Sequence, residues 1–486
     1  MCRAAEGTRL YYKKIDSGEK EEEAGRKSPM FTGREAELNY LKGYYDRVGS
    51  QIIVLYGPKG VGKTTLIEQF LEGKSYLYYE AVCCSTRQQL FYLGQHLKGM
   101  GLPMSEYPSF EEIFALFSTH SVKKQVLVID EVQNFCKTDT LFFEALCHFL
   151  TVQKEHGSLF VILCSSSIGW VENTMLGKLG PLQELISGCY KVKSLGYREF
   201  AGNFPGFTQE DSIGAYGILG GIPGLWQYFN DEFTLRENIE SFILQSNEKL
   251  FDYGQQYIEE QLRETAVYNT ILSTLAGERN KLNELYRHTG FPRAKISVYL
   301  KNLIQLEVVE KVSSMNTKGR ENVQKGMYRI SHPYVHFYYR YLFPFQNKLS
   351  IMEADEFYEQ YIEPTFRQYT AEYFIKVCRE FLERENRAKH LPAEYVRMGQ
   401  WIGKTGNIDF LLEDAEGSLL AGICCWDKDM LTYEDYERLL FCQKQARTHV
   451  DYVVLFSRVR FDQAIQIEAK KNPCLLLLTL EQLNNN

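Results

Sequence analysis

Apolar residues in this chain follow two rhythms. Unbroken runs of strand length (Ile52-Ile53-Val54-Leu55, Val126-Leu127-Val128-Ile129, Leu159-Phe160-Val161-Ile162-Leu163) alternate with segments whose apolar positions recur every three or four residues. Continuous runs read as parallel strands covered on both faces, and the longer period reads as amphipathic helix. The pattern predicts strands over 51–55, 75–80, 125–129 and 159–163, with helices over 65–71, 88–98 and 109–120 between them. That alternation is an α/β fold. Residues 201–265 read as helices, including 238–245 and 256–265. The rhythm then changes. Helices are expected over 268–275, 281–286 and 292–306, followed by two strands, 308–312 and 326–330, joined by a polar loop. Helix, helix–turn–helix and hairpin in this order predict a winged helix. Residues 331–351 are dense in aromatics and predict a packed connector. Beyond them, a long helix over 366–383, strands over 407–412, 418–426 and 450–457, and a helix over 433–448 predict a second α/β domain.

The first strand runs into Gly57-Pro58-Lys59-Gly60-Val61-Gly62-Lys63-Thr64-Thr65. G-x-x-x-x-G-K-T between a strand and a helix is a phosphate-binding loop: glycines let backbone N–H groups turn inward, and the helix dipole adds positive potential. Lys63 is expected to reach the β- and γ-phosphates of ATP, and Thr64 to ligate Mg²⁺. The strand at 125–129 ends in Asp130-Glu131, at the edge where open α/β sheets place ligands. Asp130 is the expected metal holder, and Glu131 the residue that orients or deprotonates the attacking water.

Phe31-Thr32-Gly33-Arg34-Glu35-Ala36-Glu37-Leu38, shortly before the loop, resembles the entry motif of the archaeal-type ATPases, a branch of the AAA+/STAND P-loop ATPases. Gln133 in Asp-Glu-Val-Gln and the Gly220-Gly221-Ile222-Pro223 turn add to the likeness. The resemblance implies that Gly33 and Arg34 lie near the nucleotide. It also implies that a polar residue after the strand at 159–163 senses the γ-phosphate, with Ser166 as first candidate and Ser165 as second, and that 201–265 is a helical lid. The family often carries an arginine after Pro-Leu. Here Pro181-Leu182 is followed by Gln183-Glu184-Leu185, which puts a trans-acting arginine finger in doubt. The C-terminal spacing resembles the PD-(D/E)xK nuclease-like domain of many family members. Asp409 matches the first acid, but Ile423-Cys424-Cys425-Trp426 stands where Glu-x-Lys-Trp would fall. A nuclease fold without nuclease activity is therefore expected, with Glu372 as one remaining acid to consider. The implied organisation is a disordered tail over 1–29 (with Met30 as an alternative start), an ATPase core over 30–200, a lid over 201–265, a winged helix over 266–332, and connector plus degenerate nuclease-like domain over 333–486.

Charge and composition narrow the partners. A net charge of −7 gives no global drive toward nucleic acid or anionic membrane, so DNA contact must come from a local patch. The winged helix offers one: Arg293, Lys295 and Lys301, with Lys318, Arg320 and Lys325 in the hairpin loop. A protein-packing role for the same module stays open. The 12 cysteines make no CxxC and no zinc spacing, which fits reduced thiols in a cytoplasmic protein. No run is long enough to span a bilayer. The expectation is an ATP-dependent, slowly hydrolysing switch with DNA or a protein as partner. The rivals are a DNA-processing ATPase/nuclease and a DNA-binding regulator that uses ATP as a structural ligand.

Overall fold

The computed structural model describes residues 31–117, 124–135, 140–152, 159–315, 326–403, 406–446 and 448–484. The tail 1–29, Met30, Lys318, Arg320 and Lys325 lie outside them. The chain divides into two compact units, Met1–Leu195 with Ile222–Gln227, and Gly196–Gly221 with Tyr228–Asn486.

The first unit is built on a sheet of β1 (Gln51–Tyr56), β2 (Tyr76–Glu80), β3 (Gln125–Asp130), β4 (Leu159–Ser165) and β5 (Ile186–Lys191), in the order β2-β3-β4-β1-β5. Every pairing is parallel. Alternate residues therefore serve different cores. Ile52, Val54, Leu127, Ile129, Val161 and Leu163 pack on one face. Ile53, Leu55, Val126, Val128, Phe160 and Ile162 pack on the other, with Leu41, Leu66, Ile67 and Phe70 from the helices Glu35–Tyr45 and Lys63–Leu71. Because the strands are parallel, Tyr56, Glu80, Asp130 and Ser165 all end at one edge of the sheet. This P-loop type of parallel core fits the α/β expectation. Strand β5 was not legible, because Ile186-Ser187-Gly188-Cys189-Tyr190-Lys191 has neither apolar run nor alternation and is only half-buried.

In the second unit the helix Gln209–Leu219 is buried along most of its length. It packs on the 25-residue helix Glu363–Arg387. Gly217 permits the approach: a Cβ there would lie 3.0 Å from the Tyr373 ring. Tyr369 donates to the Gly217 carbonyl at 2.6 Å. Helices Thr265–Ala276, Leu282–Thr289 and Arg293–Gln305 precede an antiparallel hairpin, β6 (Val309–Val312) and β7 (Met327–Ile330). In the aromatic connector Tyr334, Phe337, Tyr338, Tyr339 and Tyr341 are buried.

A second sheet holds β8 (Tyr395–Ile402), β9 (Asn407–Asp414), β10 (Leu419–Cys425), β12 (Tyr452–Ser457) and β14 (Leu475–Thr479), in the order β14-β12-β10-β9-β8. A separate short pair is formed by β11 (Met430–Leu431) and β13 (Arg460–Phe461). Strands β8, β9 and β10 pair antiparallel, and β10, β12 and β14 pair parallel. The chain just beyond β6 lies along the outer edge of β8. Met315 N–H donates to the Gln400 carbonyl at 2.7 Å, and Ile402 N–H donates to Ser314 Oγ at 3.0 Å. The Met315 side chain is buried in the same apolar cluster as Ile408, Leu411, Tyr436 and Leu439. Among the described residues, no helix is long and apolar enough to cross a membrane.

Candidate active site

At the C-terminal edge of the first sheet, β1 passes into the glycine loop. Gly57 N–H donates to the Ser165 carbonyl at 3.2 Å, which ties the loop to the end of β4. No side chain fits at Gly57, since a Cβ would lie 2.3 Å from the Val192 carbonyl oxygen. Gly60 and Gly62 have φ of 80° and 91°, a left-handed backbone that favours glycine. The helix Lys63–Leu71 follows at once. Its first turn and the loop border a cleft of about 470 Å³ together with Asp130 and Glu131. Phe31, Thr32, Leu195, Pro223 and Trp226 give the same cleft an apolar wall.

Lys63 is buried, and its Nζ donates to the carbonyls of Gly57 and Pro58, both at 2.9 Å. These neutral acceptors hold the ammonium where an anion would compete for it. Pro58, Lys59, Val61 and Thr65 complete the loop and the helix start. Lys59, Val61 and Thr65 border the cleft. Thr64 Oγ1 donates to Asp130 Oδ2 at 3.1 Å. The same oxygen accepts from the Tyr78 hydroxyl, and Asp130 Oδ1 accepts from Glu131 N–H at 2.9 Å. Burial, reinforced by the Asp130 charge, pushes the Tyr78 hydroxyl far above its ordinary pKa, so it stays a donor. A hydroxyl and a carboxylate side by side at a helix N-terminus form a hard oxygen donor set, which fits Mg²⁺.

Glu131 adopts φ 51°, at the sharp turn where β3 ends. Its Oε2 accepts from Ser166 Oγ at 2.7 Å and from the Gln133 amide. The structure thus brings Lys63, Thr64, Asp130, Glu131 and Ser166 to one edge. Ser165 is fully buried and donates to Gln133 Oε1 at 2.6 Å. Gly33 lies in the turn before the helix Glu35–Tyr45. Arg34 borders the cleft, but its guanidinium is taken up by Glu37 (2.8 Å) and the Val61 carbonyl (2.8 Å), so it braces the loop from behind. Tyr78 and Glu80, both at the site, were missed by sequence reading. Each sits on a neighbouring strand whose register no local pattern reveals.

In the second unit Arg293, Lys295 and Lys301 are exposed on the helix Arg293–Gln305. Arg293 lies over the Tyr286 ring and Lys295 over the Phe291 ring. Asp409 lies on β9 and accepts from Cys424 N–H at 2.9 Å. Burial pushes its carboxyl up to about 6, against the pull of that hydrogen bond and of Arg379. Glu372 is not its companion. That residue does not border the cavity around Asp409, and burial raises its pKa against the opposing charges of Arg329 and Arg340. Among the described residues, no group of three or more His, Cys, Asp or Glu side chains is placed to hold a metal ion.

Comparison with known proteins adds to this geometry. Residues 31–95 match a family described as an ATPase domain predominantly from Archaea. Residues 338–439 match archaeal and bacterial proteins of unknown function. An uncharacterised protein of Methanocaldococcus jannaschii, MJECL04, is 27% identical over 466 residues, covering 94% of this chain and 100% of that one. An uncharacterised ATP-binding protein of the same organism, MJ0423, is 44% identical over 45 residues, 9% of this chain and 76% of that one. Among solved structures, the Walker-type ATPase PABY2304 of Pyrococcus abyssi aligns with a TM-score of 0.49 at 17% identity, covering 65% of this chain and 99% of that one. The matched ATPase domain and the ATP-binding relative support nucleotide binding by the first unit.

Proposed function

We propose that the first unit binds ATP with Mg²⁺ and hydrolyses it slowly, as a conformational switch. The observation that carries this reading is the meeting of Thr64 with Asp130, and of Glu131 with Ser166, beside the Lys63 loop. Mg²⁺, held by Thr64 and Asp130, would neutralise phosphate charge. The loop N–H groups and Lys63 bind and orient the β- and γ-phosphates. Glu131 takes a proton from the water that attacks the γ-phosphorus in line, while the bond to the bridging oxygen breaks and ADP and phosphate leave. Ser166 positions Glu131 and faces the γ-phosphate. Phe31, Pro223 and Trp226 wall the remainder of the nucleotide away from water. Slow turnover follows from the Gln183-Glu184-Leu185 segment, which lacks a charge-neutralising arginine. The switch reading rests on Gly224, in the short helix Pro223–Trp226, whose N–H donates to Gly60 O at 2.9 Å and so senses the loop directly.

The test is phosphate release by the purified chain. Lys63→Ala is expected to abolish ATP binding. Glu131→Gln is expected to bind ATP but lose about 10²–10⁴-fold in turnover. Normal hydrolysis by Glu131→Gln would remove Glu131 from its assigned role.

A second reading, DNA binding by a winged helix, rests on Arg293, Lys295 and Lys301 being exposed on one helix. Anisotropy with a labelled duplex at two salt concentrations tests it. Loss of binding in Lys295→Glu/Lys301→Glu is the expected result, and salt-independent or unchanged binding counts against it. The C-terminal sheet, with Asp409 on β9 and Ile423-Cys424-Cys425-Trp426 where Glu-x-Lys-Trp would fall, is proposed to be a nuclease-type fold that cuts nothing.

A further inference from the structure

Glu131 has a neighbour that does not border the cleft, yet is built into the site. Gln133 follows in the short 3₁₀ turn Val132–Asn134 and is 8% exposed. Its amide Nε2 donates to Glu131 Oε2, and its Oε1 accepts from Ser165 Oγ at 2.6 Å. Ser165 is in turn fixed from behind: its Oγ accepts Ser167 N–H at 3.1 Å, and its side chain is wholly buried at the end of β4.

The chemistry allows one orientation. Turning the Gln133 amide over would set its oxygen against a carboxylate oxygen, two acceptors with no proton between them. The Glu131 carboxylate, which only accepts, therefore selects the orientation that offers it N–H, and the Ser165 hydroxyl donates to the Oε1 left on the other side. Glu131 needs such a hold. Its backbone is in the left-handed region, so the strand register that aims Asp130 does not carry over to it. Ser166 Oγ at 2.7 Å and Ser166 N–H at 3.4 Å approach the same Oε2. Glu131, Gln133, Ser165 and Ser166 thus close a ring across the ends of β3 and β4, which are adjacent and parallel.

We propose that Gln133 is a positioning residue for Glu131: it aims the carboxylate that activates water, and Ser165 anchors its amide from the other side. The proposal rests on the reading of Glu131 given above. It assigns Gln133 to turnover and not to nucleotide affinity.

The near-isosteric Gln133→Met tests this, with Gln133→Ala as a second variant should the first fail to fold. Expected results are ATP affinity without metal within about twofold of wild type, a thermal midpoint lowered by no more than the loss of a buried hydrogen bond accounts for, and turnover at saturating ATP lowered at least about tenfold. Ser165→Ala is expected to lower turnover as well, and the double variant to be no slower than Gln133→Met alone, since one relay is cut twice. A crystal structure of nucleotide-free Gln133→Met is expected to show Glu131 Oε2 displaced from Ser166. If Gln133→Met turns over within twofold of wild type while Glu131→Gln is inactive, the relay is overturned and the role of Glu131 stands. If Glu131→Gln is itself active, both fall. Multiplicative losses from Ser165→Ala and Gln133→Met would also overturn the relay.

Discussion

Replacing Gly224 by alanine tests whether the turn 222–227 and the phosphate loop form one device. Its backbone does not require glycine by φ, since Gly224 is not among the positive-φ residues. Space is the obstacle. A Cβ at this position would lie 3.0 Å from both the Cα and the carbonyl oxygen of Gly60. Both are backbone atoms and neither can rotate away. The turn or the loop must shift by several tenths of an ångström, and the 2.9 Å bond from Gly224 N–H to Gly60 O lies on the same line of approach. Losing that bond costs about 1 kcal/mol, and overpacking a tight contact typically costs about 1–3 kcal/mol. At about 1.4 kcal/mol per tenfold, 1–3 kcal/mol corresponds to a roughly 5- to 150-fold weaker ATP affinity if the loop yields. If the turn yields in the free protein, part of the cost appears as a lower thermal midpoint. A fluorescent ATP analogue reads the affinity and calorimetry reads the midpoint. Gly43→Ala is the control: it lies in the helix Glu35–Tyr45 with nothing within 4 Å of its Cβ, so it should stabilise by about 0.5–1 kcal/mol. Gly224→Ala with affinity within twofold of wild type and an unmoved midpoint would refute the contact argument.

Three further outcomes are expected. Asp409 carries a folded-state pKa raised to about 6 from an ordinary 3.8. Its favourable contribution is therefore complete below about pH 4 and is lost as pH rises toward and through about 6, on the order of 2–3 kcal/mol. Asp409→Asn should accordingly stabilise the protein at pH 7.5 and leave it unchanged near pH 4, as read by denaturant unfolding; equal effects at both pH values would contradict this. Met315→Ala should destabilise by about 2–5 kcal/mol, since the side chain is buried in the C-terminal core. It should also speed hydrogen exchange at the Ile402 amide. Tyr78→Phe should weaken metal-dependent ATP binding more than metal-free binding, because Asp130 loses a donor on the oxygen it shares with Thr64.

What the sequence disclosed depended on how local the cause was. The phosphate loop is contiguous, and its glycines, lysine and threonine state their own geometry. Asp130 was legible because an apolar run ending in an acid fixes where that acid points. Ser165 and Ser166 were separable only in three dimensions: consecutive residues at a strand end face opposite ways, so one closes on Gln133 and the other on Glu131. Tyr78 reads as one more apolar residue of β2 until parallel pairing with β3 sets it beside Asp130. Helix ends drifted for the same reason. The helix expected over 366–383 runs over Glu363–Arg387, because its charged final turn carries no apolar period. Strand β8 was hidden by an edge position that leaves Val396 and Arg397 exposed and erases the alternation. Nothing in Ser314-Met315 marks it as part of a sheet that begins 80 residues later.

That last contact has a practical meaning for anyone who cuts this chain. Ser314 Oγ and Ile402 N–H are 88 residues apart in sequence, and a fragment starting at 333 would carry the C-terminal sheet without its border. The outer row of β8 would then present an unfilled hydrophobic notch, beside Gly399, and open N–H and C=O groups. Unprotected sheet edges recruit other strands. Such a fragment should self-associate through β8 even though every residue of its own five strands is present, and restoring the residues from 309 onward should abolish that association. The sheet also cannot finish until a distant part of the chain arrives, so its completion should be a late event in folding.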